Sequence, residues 1–209
     1  MLKKNYSIPI TLFMFSIVTA SSVIIVYLLT KPIIMFQKEY HQKIILDTIL
    51  PKNLLHNIAT SCFIMNHKLL GDNKNHRFWI VKKNNKIKAV IFETIAPDGY
   101  SGNIKMIVSS DLNNKILGVR ILDHHETPGL GDKIDIRISD WITRFSGVVV
   151  SGLNDSRFSL KKYGGNIDQF TGATITPLAV VNAIKRTVSL VKHVAFKNKK
   201  FDNCSSYYE

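Results

Sequence analysis

The sequence predicts an α+β protein in which a single N-terminal transmembrane helix precedes one domain with an antiparallel sheet flanked by helices. Three observations support this fold class. Residues 8–30 carry no charge, short β-type segments follow one another between residues 78 and 122, and an amphipathic helical pattern occupies residues 176–194. Strands that are consecutive in sequence, with helices at both ends, are typical of α+β architecture.

The uncharged segment Ile8–Leu29 is long enough to cross a bilayer. Its 22 residues would span about 33 Å as a helix, close to the hydrocarbon thickness of a membrane. A cleaved signal peptide is the alternative, because Val18–Ala20 offers the small residues of a cleavage site. We favour a retained helix, since the apolar run continues through Val23–Leu29.

The composition narrows the function classes. A hydrophobic share of 45% excludes global disorder. A net charge of +13 is compatible with contact with anionic lipid or an acidic partner, and also with an ordinary solvated basic surface. Nucleic acid is not an expected partner, because the lysines are scattered and no binding module is recognisable. Cys62 and Cys204 fit no metal spacing, and we do not predict a disulfide scaffold.

The chain divides into five segments by composition. A short tail, residues 1–7, precedes the membrane helix at 8–30 and a juxtamembrane helical segment at 31–76. Within that segment we expect a helix through Leu50, a short helix from Pro51 that includes Ile58 and Cys62, and a loop over residues 65–77. The globular domain covers residues 77–196. The polar tail, residues 197–209, includes Cys204 and is expected to be frayed.

Two hairpins are predicted in the domain. Phe78–Val81 and Ile87–Thr94 flank Lys82–Lys86, whose asparagines tolerate the left-handed conformations of tight turns. Ile104–Ser109 and Lys115–Leu122 form a second pair. Further predicted elements are a short helix at Asp140–Phe145 and a late strand at Phe158–Lys162.

The last helical pattern begins beside a cluster of small and hydroxyl residues. Thr176 followed by Pro177 predicts an N-cap and a first helical residue. The free N–H groups and the positive dipole end of such a helix suit a phosphate. Gly172 and Ala173 lack bulk, so a ligand could approach the backbone near Thr174. On these residues alone, an ordinary helix cap remains the simpler interpretation.

The motif Asp168-x-x-Thr171-Gly172-Ala173-Thr174 resembles the flavinylation motif of the FMN-binding domain family. This family includes the G subunit of Rnf electron-transport complexes and the C subunit of the sodium-pumping NADH:quinone reductase. The resemblance implies that Thr174 is esterified by the phosphate of FMN, in a reaction carried out by a dedicated flavin transferase with FAD as donor. Thr176 is the alternative acceptor, and Asp168, Thr171, Gly172 and Ala173 complete the candidate site.

A second motif follows the predicted strands. The loop His124–Lys133 is rich in turn residues, and alone it is compatible with an ordinary connection. Its string Glu126-Thr127-Pro128-Gly129-Leu130-Gly131 resembles the loop that packs on the flavin in the same family, and Gly99–Gly102 resembles the family's short glycine loop. The resemblance covers about Arg77 to Val194. It adds Glu126, Thr127, Gly129 and Leu130 to the expected cofactor-binding residues.

The resemblance implies an electron-carrying subunit with covalent FMN. Its partners would be the other membrane and iron–sulfur subunits of an Rnf-type complex, which moves electrons between ferredoxin and NAD and couples this transfer to ion movement. The large domain would lie on the periplasmic side of the bacterial inner membrane. The compact chain favours the Rnf-type protein over its quinone-reductase counterpart.

Three other interpretations exist, and the first of them, a metal site, is not supported. His124-His125-Glu126 could suggest a metal, but adjacent loop side chains rarely converge on one ion and no further ligand completes a set. We therefore predict no metal site, and we predict no catalytic residues. A membrane-anchored binding module for a small ligand would use the same loops without covalent flavin. A structural or assembly protein with a decayed flavin site is the third possibility.

Overall fold

A computed structural model describes residues 7–50, 58–194 and 201–204. The chain forms two compact units, residues 1–46 and 47–209. Helix α1, Ser7–Ile49, contains the predicted membrane segment and continues beyond it as expected. Its stretch Pro9–Ile34 has a mean hydropathy of 2.4 over 26 residues and is covered by no other described part of the chain. Such an uncovered apolar surface fits a lipid environment.

The second unit is built on one antiparallel sheet of six strands, ordered β5-β4-β3-β2-β1-β6. The two predicted hairpins are confirmed, and Asn84 (φ 52°) and Asn85 (φ 59°) form the turn of the first one. Positive φ at both central residues matches the twist of the paired strands. The strands are β1 Ile58–Asn66, β2 Asn75–Lys83, β3 Lys86–Ala96, β4 Ile104–Ser110, β5 Ile116–Asp123 and β6 Asp202–Asn203.

The predicted short helix that included Ile58 and Cys62 is wrong at these positions, because both lie in β1. This strand pairs with β2 along its whole length, with Cys62 opposite Trp79, and the pairing outweighs the weak helical stripe. The remainder of that predicted helix, residues 51–57, lies outside the described residues. The expected loop over residues 65–77 instead contains the end of β1, a 3-10 turn at Lys68–Leu70 and the start of β2.

Helix α2, Ile175–His193, packs its apolar face on one side of the sheet, against β3 and β4. Val180, Val181, Ile184 and Val188 are fully buried in one core cluster with side chains of β4 and β5. Farther along the helix, Leu190 and Val191 join a second cluster with Phe78 and Phe92. The α+β class and the C-terminal amphipathic helix are therefore confirmed.

The predicted start of this helix is wrong by two residues. Thr174, not Thr176, occupies the N-cap position, and its carbonyl accepts the N–H of Leu178 at 3.2 Å. Thr176 lies inside the first turn, and its hydroxyl donates to Glu126. Pro177 is tolerated here because the first N–H groups of a helix have no intrahelical acceptor.

Short 3-10 helices and irregular segments connect β5 to α2. The short helix expected at Asp140–Phe145 is present as a 3-10 helix, Trp141–Phe145, with both aromatic side chains in the core. The late strand expected at Phe158–Lys162 is wrong. Phe158 and Leu160 are buried anchors of an irregular segment, and Leu160 forms only an isolated bridge with Ile167. Lys161–Tyr163 is a 3-10 turn.

The two cysteines form a disulfide, which the sequence analysis did not predict. They are separated by 142 residues, and antiparallel pairing of β1 with β6 brings them together. Phe201 adds ring contacts to Phe63 and Phe78. The part of the polar tail at 201–204 is therefore ordered, contrary to expectation, whereas residues 197–200 and 205–209 lie outside the described residues.

The disulfide yields a stability prediction. Replacement of both cysteines, Cys62→Ser with Cys204→Ser, should lower the free energy of unfolding by about 2–4 kcal/mol, because a long loop is no longer closed in the unfolded chain. Denaturant unfolding of the purified protein measures the change. Reductant should destabilise the wild-type protein and leave the double variant unaffected. Equal stability of the wild-type protein and the double variant in the absence of reductant would contradict the prediction.

Candidate functional site

Three loops meet at the N-terminal end of α2 and enclose a cleft of about 280 Å³. One loop connects β3 to β4, the second follows β5, and the third precedes α2. The side chains and backbone of these loops line the cleft: Tyr100 from the first, Glu126, Thr127, Leu130 and Gly131 from the second, and Gly172, Ala173, Thr174, Ile175 and Thr176 from the third.

The loop before α2 is a tight turn that presents Thr174 to the cleft. Gly172 has φ +81°, a conformation that other residues rarely adopt, and a Cβ there would lie 3.3 Å from Leu130 Cδ2. The N–H of Ala173 donates to the carbonyl of Phe170 at 3.2 Å. Thr174 is half-buried, and its side chain does not cap the helix.

The start of α2 offers backbone N–H donors that no side chain caps. Its first N–H groups have no intrahelical acceptor, and the helix dipole adds positive potential at this end. No acidic residue lies in the first turn, and Thr174 at the N-cap makes no capping hydrogen bond. These features leave the backbone donors beside Thr174 suited to an external anion, such as a phosphate.

Glu126 lies at the base of the cleft and is only 4% exposed. Its carboxylate accepts the hydroxyl of Thr176 at 2.5 Å through Oε2 and the N–H of Ser101 at 3.1 Å through Oε1. Glycines make this arrangement possible: a Cβ at Gly131 would lie 2.9 Å from Glu126 Oε2 and from Thr176 Oγ1. A Cβ at Gly99 would lie 2.9 Å from Glu126 Oε1.

The Glu126–Gly131 loop is folded around one carbonyl group. The oxygen of Thr127 accepts the N–H groups of Leu130 and Gly131, at 3.2 and 3.0 Å. This turn leaves Leu130 with 42% of its surface exposed at the rim of the cleft. Tyr100 and Ile175 are also exposed apolar residues of the lining, at 68% and 50%. The cleft thus pairs the uncapped start of α2 with apolar surface.

Asp168, Thr171 and Gly129 do not line the cleft, although the sequence motifs contain them. The carboxylate of Asp168 lies 2.6 Å from Lys161 Nζ, and the lysine holds the pKa of Asp168 below its usual value. The backbone carbonyl of Asp168 accepts Trp141 Nε1 at 2.8 Å. Asp168 therefore fixes the beginning of the motif, at the edge of a second cavity of about 430 Å³.

The remaining expected residues line the cleft. Three further lining residues, Tyr100, Gly131 and Ile175, were not expected from the sequence. Tyr100 and Gly131 lie within the motif strings that drew attention to these loops. Ile175 had no sequence signal of its own, because the helix was expected to begin after it. Across the described ranges, no three His, Cys, Asp or Glu side chains come together as a metal site.

The cleft suits a ligand with an anionic end and a flat apolar body. The uncapped helix start can accept a phosphate, while Tyr100, Leu130 and Ile175 offer exposed apolar contacts. A family model described as an FMN-binding domain matches residues 99–189, a range that contains every residue lining the cleft. The N–H donors at the helix start could hold the phosphate of FMN, and the exposed apolar side chains could hold its ring system.

Similar proteins, each named as the G subunit of an ion-translocating oxidoreductase complex, match nearly the whole chain. A relative from Buchnera aphidicola subsp. Baizongia pistaciae is 57% identical over 99% of this chain and 100% of its own length. One from Pectobacterium atrosepticum is 48% identical over 85% of each chain. A third, from Escherichia coli O157:H7, is 46% identical over 89% of this chain and 90% of the relative.

The glycines of the loop after β5 allow a matched test of the cleft geometry. Gly131→Asn should lower the free energy of unfolding by about 1–3 kcal/mol, because the new side chain must displace Glu126 and Thr176. Gly129→Asn should cost less than about 1 kcal/mol, because its φ of +77° suits asparagine and a Cβ there meets open space. Thermal and denaturant unfolding measure both; equal losses would argue against a crowded Gly131.

Proposed function

Because the chain belongs to the family of G subunits of ion-translocating oxidoreductase complexes, we propose that it is a membrane-anchored electron-transfer protein of such a complex. We infer that it carries FMN covalently, through a phosphoester to Thr174. The observation that carries this proposal is the state of that side chain: Thr174 is half-buried in the cleft, at the uncapped N-terminal end of α2.

The geometry supports a phosphate at Thr174 in two ways. The orphan N–H groups of the first helical turn would stabilise the charge of a phosphodiester attached to the neighbouring hydroxyl. Gly172 and Ala173 keep the approach to this hydroxyl free of large side chains. Thr176 is a poor acceptor by comparison, because it is only 2% exposed and its hydroxyl is engaged by Glu126.

Attachment is a phosphoryl-type transfer. The Thr174 oxygen forms a bond to the FMN phosphorus of FAD, the anhydride bond to AMP breaks, and the hydroxyl proton is released. A dedicated flavin transferase would catalyse this step. The chain itself supplies the acceptor, the positive helix end and the apolar rim formed by Tyr100, Leu130 and Ile175.

The bound FMN would supply electron transfer in steps of one electron. The residues of the chain hold and orient this group: the covalent bond prevents its loss, and the Glu126–Gly131 loop borders it. Helix α1 would anchor the domain beside the other membrane and iron–sulfur subunits of an Rnf-type complex between ferredoxin and NAD. Anchoring replaces random collision by a high effective concentration.

The proposed side of the membrane is the periplasm. Its support is the Cys62–Cys204 disulfide in the second unit, since disulfides persist in oxidising compartments and are rare in the cytosol. The candidate membrane span, Pro9–Ile34, precedes this unit in the chain.

Loss of the acceptor hydroxyl tests the flavin assignment. Thr174→Ala, expressed with the transferase, should give a protein without fluorescence in a denaturing gel under ultraviolet light and without the added mass of FMN less one water. The reason is that no oxygen remains at this position to form the ester. Ser156→Ala, an exposed hydroxyl deletion outside the cleft lining, should retain the label.

Mapping of the labelled peptide separates the alternatives. A flavin that survives denaturation and maps to Thr174 supports the proposal, whereas a label on Thr176 would transfer the acceptor role to that residue. A wild-type protein that binds a ligand but releases it on denaturation would favour the small-ligand binding module without covalent flavin.

The thiol state in cells tests the proposed topology. If the domain lies in the periplasm, Cys62 and Cys204 should resist alkylation when cells are lysed in denaturant with a maleimide reagent, because both sulfurs are in the disulfide. Prior reduction should make both react, and the mass increase of the protein counts them. Full alkylation without reduction would place the domain in a reducing compartment.

A further inference from the structure

The motif contains two threonines with different surroundings. Thr174 and Thr176 are two residues apart and both line the cleft. The hydroxyl of Thr176 is buried and donates to Glu126 Oε2 at 2.5 Å, whereas Thr174 is half-buried and its side chain makes no capping bond. The chain therefore withdraws one hydroxyl from the cleft and leaves the other available.

One carboxylate connects the three loops of the cleft. Glu126 belongs to the loop after β5, it accepts the N–H of Ser101 from the β3–β4 loop, and it accepts the hydroxyl of Thr176 from the first turn of α2. Gly99 and Gly131 leave room for both hydrogen bonds, since a Cβ at either would lie 2.9 Å from a Glu126 carboxylate oxygen. No other described side chain joins these loops through hydrogen bonds.

The cost of burying this carboxylate explains how its hydrogen bond to Thr176 can fix the position of Thr174, the flavin acceptor. A buried carboxylate is costly unless its oxygens accept hydrogen bonds, and removal of one donor leaves that cost uncompensated. Without the Thr176 hydroxyl, Glu126 would have to move toward water and release the first turn of α2. Thr174 is two residues from Thr176, so the displacement would reach the acceptor directly.

We propose that Glu126 is a positioning residue for flavin attachment. Its hydrogen bond to Thr176 withholds that hydroxyl and holds Thr174 as the single acceptor in a fixed place between the loops. This inference rests on the proposed function, since it concerns the same site and the same ester. Glu126 acts through Thr176 and need not touch the flavin.

A pair of substitutions at Thr176 separates the hydroxyl from the shape of the side chain. The full-length chain is incubated with the flavin transferase and FAD, and intact mass gives the initial rate of FMN attachment. Thr176→Val, which keeps the shape, should load about tenfold more slowly, in line with the loss of a buried hydrogen bond to a charged group. Thr176→Ser, which keeps the hydroxyl, should load within about twofold of the wild-type rate.

Thr187→Val is the matched control on the same helix. Thr187 is fully buried, and its hydroxyl bonds Thr94 Oγ1 and the carbonyl of Ala183, away from the cleft. The control should load at the wild-type rate even if it melts at a lower temperature. Rates are measured where circular dichroism finds every variant folded, so that a general loss of stability does not affect them.

Hydrogen exchange of the unmodified protein provides a readout that is independent of flavin. In Thr176→Val, the amide of Ser101 and those of residues 171–176 should exchange faster than in wild type, because both segments lose their common link. Thr176→Ser should retain wild-type protection. Thr187→Val should leave these amides unchanged and affect only its own part of α2.

The results discriminate between the inference and the proposed function. Equal loading rates for the Thr176→Val and Thr176→Ser proteins would overturn the positioning role while the flavin assignment stands. If Thr176→Val does not fold, Glu126→Leu replaces it, since leucine is of comparable size but can neither accept nor donate a hydrogen bond; a wild-type rate in that variant would equally overturn the role. A wild-type chain that acquires no FMN would refute both.

Discussion

The apolar contact between α2 and the sheet is the constraint on which the rest of the domain depends. Val180, Val181, Ile184 and Val188 are removed from water on one face of the helix, and this burial fixes its axis over β3 and β4. The helix start is thereby held against the loops before β4 and after β5. A helix end that the core holds in place can keep its N–H donors directed at a ligand without capping them.

The two threonine hydroxyls of the cleft have different roles. Thr176 satisfies a buried carboxylate, which brings the three loops together, and Thr174 remains accessible beside the positive helix end. Gly99 and Gly131 leave room for the Glu126 carboxylate beside the backbone, and Gly172 adopts a positive φ that other residues rarely adopt. Hydrogen bonds to this one carboxylate link the three loops.

The two edges of the sheet are covered by segments from the two ends of the second unit. Ile49 is buried, and its carbonyl would lie 2.5 Å from a Cβ at Gly118 in β5. At the opposite edge of the sheet, Cys204 and β6 cover part of β1. A short strand fixed by a covalent bond protects an edge that could otherwise pair with another chain.

The sequence by itself determined what local patterns encode: the apolar N-terminal helix, the hairpins with their asparagine turns, the amphipathic α2, and the two motifs that meet at the cleft. These signals are local because hydrophobic period and turn chemistry act over a few residues. Only the tertiary structure decided that Ile58–Asn66 is a strand, that Cys62 meets Cys204, that Asp168 lies outside the cleft, and that Thr176 bonds Glu126 instead of capping α2. Each depends on contacts with residues elsewhere in the chain, which a pattern of a few neighbouring residues does not encode.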